Sequence, residues 1–147
     1  ARFFMLNSNP DEPDGVNADS VQAGWLRQNL AASDAAWKIV VMHHAPYSSG
    51  HHGSSGWMRW PYAEWGAHLV IAGHDHCYER IMRDGIVYLV NGLGGAARYA
   101  RGIEQAPGSA VFFNAAHGAL LAEMSVTTLN LRFTTIDGDT IDSYAFQ

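Results

Sequence analysis

The chemistry this sequence can do is concentrated in its histidines. There are eight in 147 residues; four of them (His43, His44, His51 and His52) fall within ten positions, and His74 and His76 flank Asp75. A neutral imidazole is a ligand for zinc, iron, manganese and copper ions, and it exchanges protons near neutral pH. Both clusters follow an apolar run directly: Ile39-Val40-Val41-Met42 before His43, and Leu69-Val70-Ile71-Ala72-Gly73 before His74. Such β-branched runs read as buried strands, and ligands of open α/β sheets gather beyond the carboxyl ends of strands. If the two strands are parallel neighbours, His43, His74 and His76 converge on one crevice and form a metal-binding set. His44 adjoins His43 and is expected to point away. His51 and His52 lie in a Gly/Ser/His loop and, on pattern alone, read equally as exposed or functional. His68, before its strand, and His117, beside Gly118, read as structural. Cys77 follows His76, and buried packing is expected of it rather than thiolate ligation.

Other metal patterns do not fit. There is no H-E-x-x-H. A metallo-β-lactamase pattern needs Asp and His soon after His-x-His, where Cys77, Tyr78 and Glu79 stand. Asp11, Glu12, Asp14 and Asp19 lack EF-hand spacing and read as a solvated loop.

The elements that must position the histidines follow from periodicity. A strand is expected over 2–7, then an exposed loop over 8–18 with Pro10, Pro13 and Gly15. Asp19-Ser20-Val21-Gln22 resembles a capping box opening a helix that runs to about Ser33, with Val21, Trp25, Leu26 and Leu30 on one face. Strands are expected over 37–42 and 68–72, with a short helix over 57–67 interrupted by Pro61. Residues 81–91 read as a hairpin turning at Asp84-Gly85, and 92–108 as a glycine-rich loop. Alternating strands are expected over 120–126, 129–136 and 141–146. The order predicts an α/β fold, a mixed β-sheet layer with flanking helices and a β-rich end. Of Trp57, Trp60, Tyr62 and Trp65, two are expected in the core and the others at a substrate wall; Arg98 and Arg101 read as solvated loop charges.

Composition narrows the classes. An apolar share of 48% excludes a disordered chain. No run of about eighteen apolar residues exists, so no membrane span is expected. A net charge of −5 argues against a nucleic-acid surface, and a single cysteine excludes an intrachain disulfide framework.

Gly73-His74-Asp75-His76-Cys77-Tyr78-Glu79-Arg80 closely resembles the G-H-x-H-x-Y-E-R signature of purple acid phosphatase-like enzymes, in the calcineurin-like metallophosphoesterase superfamily. Val40-Val41-Met42-His43-His44-Ala45-Pro46 resembles the same family's strand-plus-histidine motif, and His52-Gly53 stands where the family has a further histidine followed by glycine. The resemblance covers most of residues 1–90. It implies half of an α/β/β/α sandwich and a hydrolase acting on phosphate esters through a metal-bound water or hydroxide. It implies two divalent or trivalent cations in the complete domain, with iron, zinc or manganese the expected metals. His43 and His74 would bind one ion and His76 the other. His52 would meet the substrate phosphate or leaving-group oxygen, as acid or hydrogen-bond donor. Tyr78 and Arg80 would anchor their strand, and the location would be extracytoplasmic, secreted or periplasmic.

The family's D-x-G, G-D-x-x-Y and G-N-H-[DE] blocks do not occur in this sequence. Residues 1–147 are therefore expected to be the C-terminal portion of a metallophosphoesterase domain that holds at most one ion tightly. The expected partners are a phosphate-ester substrate and the upstream half of the domain or a second chain; a homodimer is a further expectation. The alternative is a catalytically inactive metal-binding or protein-interaction module of the same fold.

Overall fold

A computed structural model describes residues 1–146. Strands β1 (Arg2–Met5), β2 (Lys38–Val41), β3 (Leu69–Ala72), β4 (Tyr78–Arg83), β5 (Ile86–Asn91) and β6 (Ser109–Phe113) form one sheet in the order β1-β2-β3-β5-β4-β6. The first four in that order run parallel; β4 is antiparallel to both β5 and β6. Strands β7 (Gly118–Met124), β8 (Leu129–Thr135) and β9 (Thr140–Phe146) form a second, antiparallel sheet.

The large sheet is covered on both faces, which is why its strands read as continuous apolar runs. Along β2, Ile39 faces the small sheet, among Tyr78, Leu89, Leu131 and Phe133. Its neighbour Val40 faces the other way, among Leu26, Leu30, Tyr62 and Tyr88. That second face is covered by α1 (Val21–Ala31) and the long connection from β2 to β3. The layers are therefore helix and loop, mixed sheet, antiparallel sheet, as expected of a mixed α/β fold.

Tyr78 and Arg80 join the two sheets. The Tyr78 hydroxyl donates to Asp142 Oδ2 at 2.8 Å, Arg80 Nε donates to the same oxygen at 2.7 Å, and the Tyr78 ring stacks on Phe133 with centroids 4.2 Å apart. Asp142 is itself buried. Both residues thus anchor a strand, as the resemblance implied.

The expected hairpin is β4–β5. Its two-residue turn puts Asp84 at φ 53° and Gly85 at φ 81°, the left-handed pair of a type I′ turn.

Three expectations change. The helix cap is Ser20, whose hydroxyl accepts the Ala23 N–H; Gln22 instead reaches out to the Asn7 N–H and the Asn7 and Gly15 carbonyls. The buried helix face is Ala23, Leu26 and Leu30, while Val21 and Trp25 are exposed; the helix is rotated so that the smaller Ala23 meets the sheet. The helix expected over 57–67 is a single 3-10 turn, Gly56–Met58, followed by turns, because Pro61 removes a donor where the next turn would need one. Strand β6, a stretch to which the sequence assigned no element, pairs with β4. Trp60 and Tyr62 are the two buried aromatics of their stretch, whereas Trp57 is partly exposed.

Candidate metal centre

The parallel pairing of β2 with β3 sets Val41 beside Ile71, so the chain leaves both strands at the same edge. His43 and His74 meet there, with His43 Nε2 3.1 Å from His74 Nδ1. His44 joins them: one ring nitrogen from each of the three lies within 4.8 Å of the others. Adjacent residues point to opposite sides only while the backbone stays extended. His43 and His44 sit in a bend past the strand end, so His44 does not point away as the sequence suggested.

A tetrahedral ion with bonds of about 2.1 Å holds its nitrogens about 3.4 Å apart. The His43–His74 separation already matches, and the third imidazole needs only a small inward adjustment. The donor chemistry fits as well. Burial, first, and the neighbouring histidines, second, hold the His44 and His74 rings below the ordinary histidine range. At neutral pH these rings are uncharged and can offer a lone pair. Ser8 Oγ lies 2.9 Å from His44 Nδ1 and accepts the His44 backbone N–H. With Nδ1–H donating to that oxygen, His44 Nε2 is the free nitrogen; such supporting bonds orient metal-binding imidazoles.

His74 has φ 65°, a left-handed conformation that costs a residue with a Cβ roughly 1–2 kcal/mol. Left-handed residues that persist are held by their surroundings and cluster at functional sites.

His76 lies outside this group of three. Its ring stacks on Tyr99 at 4.0 Å and 12°, and its Nδ1–H donates to the Ala97 carbonyl. A carbonyl only accepts, so Nδ1 carries a proton, and in the neutral ring the lone pair is then on Nε2. His52 stacks on His74 at 4.2 Å and meets the Tyr99 ring at 5.2 Å. A continuous series of rings thus runs from His44 through His74, His52 and Tyr99 to His76. His51 is exposed beside His52 and Tyr99.

The loop bearing His52 is tied to the turn bearing His74 by buried carboxylates. Asp75 accepts the His52 N–H at 2.8 Å and the Ser48 hydroxyl at 2.5 Å. Glu79 accepts the Ser49 N–H at 2.7 Å, the Ser49 hydroxyl and the Ser109 hydroxyl. A Cβ on Gly92 would lie 2.0 Å from the Asp75 carbonyl oxygen, so the turn closes only against glycine.

Other neighbours surround the rings. Trp57, one of the four aromatics weighed for a substrate wall, donates to the Ser8 carbonyl and places its ring 5.7 Å from that of His44. Tyr99 sits in the glycine-rich loop with no motif around it. Arg98 donates to the Asn114 and Ala115 carbonyls, and Arg101 stacks on Phe112. Cys77 is buried, and burial raises its thiol far above the usual range, which suits packing and not ligation. His68 and His117 make structural bonds, His68 accepting the Lys38 N–H and His117 donating to the Ala96 carbonyl. A cleft of about 600 Å³ opens beside His52, between residues 48–54 and 101–107, with Arg59, Arg101 and Glu104 on its walls.

Comparisons with known proteins bear on the family and the fold. Purple acid phosphatase 17 of Arabidopsis thaliana is 38% identical over 78 residues, 49% of this chain and 23% of that enzyme. Across the curated relatives it matches, the aligned stretch is between 20% and 37% of their length. The structure of purple acid phosphatase PPD1 from yellow lupin superimposes with a TM-score of 0.83 at 19% identity, over 97% of this chain and 30% of that one. GAP50, described as the anchor in the inner membrane complex of Plasmodium, superimposes with a TM-score of 0.78 at 18% identity, over 99% of this chain and 48% of that one. The sequence model of the calcineurin-like phosphoesterases matches residues 3–78, more than half the chain, running from within β1 to just past the second histidine turn: this protein belongs to the calcineurin-like phosphoesterase family.

Proposed function

We propose that this chain supplies the imidazole half of a metallophosphoesterase centre that hydrolyses phosphate esters in the manner of an acid phosphatase. The observation that carries this reading is the His43–His74 contact at 3.1 Å between two ring nitrogens, at the shared end of two parallel strands. His43 and His74 would hold one cation and His76, through Nε2, a second; His44 stands ready to complete the first. Bound cations in such a site supply positive charge to phosphoryl oxygens and make water more acidic. His52, exposed and stacked on His74, would donate a hydrogen bond or proton to the leaving oxygen. The cleft beside His52 would take the alcohol portion of the ester. Family likeness favours iron, zinc or manganese, and a secreted or periplasmic location. Among the described residues, no helix is long and apolar enough to cross a membrane.

Two cations side by side need an anionic bridge. The carboxylate nearest in sequence, Asp75, already has one oxygen on Ser48 and the other on the His52 N–H. The bridge would come from residues outside 1–147, in the upstream half of the same domain or in a second chain. Strand β1 ends the large sheet and leaves Phe3 and Met5 exposed, an edge suited to a further strand. The same edge on a second copy would make a homodimer. Sedimentation of the chain at low concentration separates these: a persistent monomer argues against self-association.

Calorimetric titration of zinc or manganese into the chain should find one tight ion per monomer. The full natural polypeptide should release phosphate from a chromogenic phosphomonoester, and His52→Ala should remove that release. Two tight ions in residues 1–147 would contradict the proposed division of ligands. A second reading is an inactive binding module, favoured by the all-imidazole donor group. An inert full polypeptide that still binds metal would support it.

A further inference from the structure

The loop that carries His52 is rich in glycine and serine, yet its histidine stacks in one defined place on His74. Something must hold the backbone there. Asp75 is 1% exposed and accepts from both ends of the segment, at the Ser48 hydroxyl and the His52 N–H. Ser48 Oγ in turn accepts the Gly50 N–H at 2.9 Å. A Cβ on Gly50 would lie 2.3 Å from Asp75 Cγ, so the segment wraps the carboxylate without a gap. Asp75 is also peptide-bonded to His74. The route from the His74 ring to the His52 backbone is therefore one peptide unit, one side chain and one hydrogen bond. Glu79 secures Ser49 and Ser109, but it makes no bond to His52.

We propose that Asp75 is the positioning residue of the centre: its buried carboxylate fixes the distance and tilt of His52 over His74. The proposed catalytic role of His52 gives this its functional weight, so the inference rests on that reading; the geometry itself does not. Removing the acceptor leaves two donors without a partner, and such a segment relaxes by turning toward water. His52 then leaves the His74 ring while His43 and His44, held by β2 and Ser8, stay in place.

The test is histidine ring NMR on the 15N-labelled chain without metal. In Asp75→Ala the His52–His74 ring cross-peak should vanish and both rings should shift, with His68 and His117 unmoved. Asp75→Asn should retain most of the cross-peak, because an amide oxygen can keep the His52 N–H while its NH2 turns to Ser48 Oγ. Gly50→Ala, which crowds the carboxylate and keeps its charge, should also shift His52. If Asp75→Ala does not fold, Gly50→Ala answers the same question. An intact, unshifted cross-peak in whichever of Asp75→Ala and Gly50→Ala folds overturns the proposal, as does its loss in a folded Asp75→Asn. In the full polypeptide, Asp75→Ala should lower kcat at least 10-fold with metal content unchanged and KM altered little. If the wild type proves inert, the phosphatase reading fails while the ring measurements still decide the role of Asp75.

Discussion

Strand β3 carries a histidine at each end, and the two have opposite fates. His68, at the amino end, packs its ring edge-on against Trp37 at 5.5 Å and accepts the Lys38 N–H on Nδ1 at 3.0 Å. His74, at the carboxyl end, has a ring nitrogen facing that of His43 and a left-handed backbone. Burial is the first cause that lowers both rings below the ordinary histidine range. Neither residue type nor a shifted pKa therefore marks the site. What marks it is the number of ring nitrogens that share one space without a backbone partner. A parallel sheet explains the asymmetry, because its strands deliver their carboxyl ends to one edge.

The largest expected effect breaks the pair at its carboxyl end. His43→Ala or His74→Ala should weaken zinc binding by more than about 100-fold, beyond the 10–100-fold typical of supporting residues, with the fold retained; calorimetry reads it. His44→Ala should fall within that supporting range if its ring only crowds the others, and beyond it if His44 ligates. His68→Ala should leave zinc affinity unchanged and cost about 1–2 kcal/mol in urea unfolding, because the Lys38 N–H loses its acceptor.

His74→Gly sharpens the contrast further. It should abolish the metal site yet raise stability by up to about 1 kcal/mol, since glycine adopts φ 65° without the Cβ penalty, less the added freedom of the unfolded chain. Destabilisation by a larger amount would mean that the His74 ring is needed to hold the turn without metal.

The smallest expected effect is on pH. His44, His68 and His74 are lowered from 6.5 in the folded chain. The unfolded chain thus binds more protons just below pH 6.5, and stability rises with pH through that window. The contribution is complete above about pH 6.5 and is lost as the pH falls below it. His68→Gln should flatten part of that slope. Zinc should raise the unfolding temperature at pH 7.5 and much less at pH 5, where protons compete for the same nitrogens.

Much of this was readable before any coordinates. The runs ending at His43 and His74 announced two buried strands, since only a strand covered on both faces is apolar at every position. Asp84-Gly85 announced the hairpin, because few residue pairs accept two left-handed positions. The helix over 21–31 was legible but its rotation was not: Trp25 and Ala23 are both apolar, and the neighbouring sheet left room only for the smaller one. Strand β6 was hidden because Ser109–Phe113 follows a glycine-rich loop and acquires its partner, β4, from a distant part of the chain. Tyr99 and Ser8 carried no signal at all, being ordinary loop residues until folding set them against His76 and His44.

The sequence by itself determined the family, the strands that present the histidines and a donor type suited to metal ions, because strand periodicity and imidazole chemistry are local properties. Only the tertiary structure decided which rings meet. It brought His44 into the group, put Tyr99 between His52 and His76, and turned Asp75 inward to hold His52. Past the end of a strand the alternation of side chains lapses, and direction there is set by contacts between segments far apart in the chain.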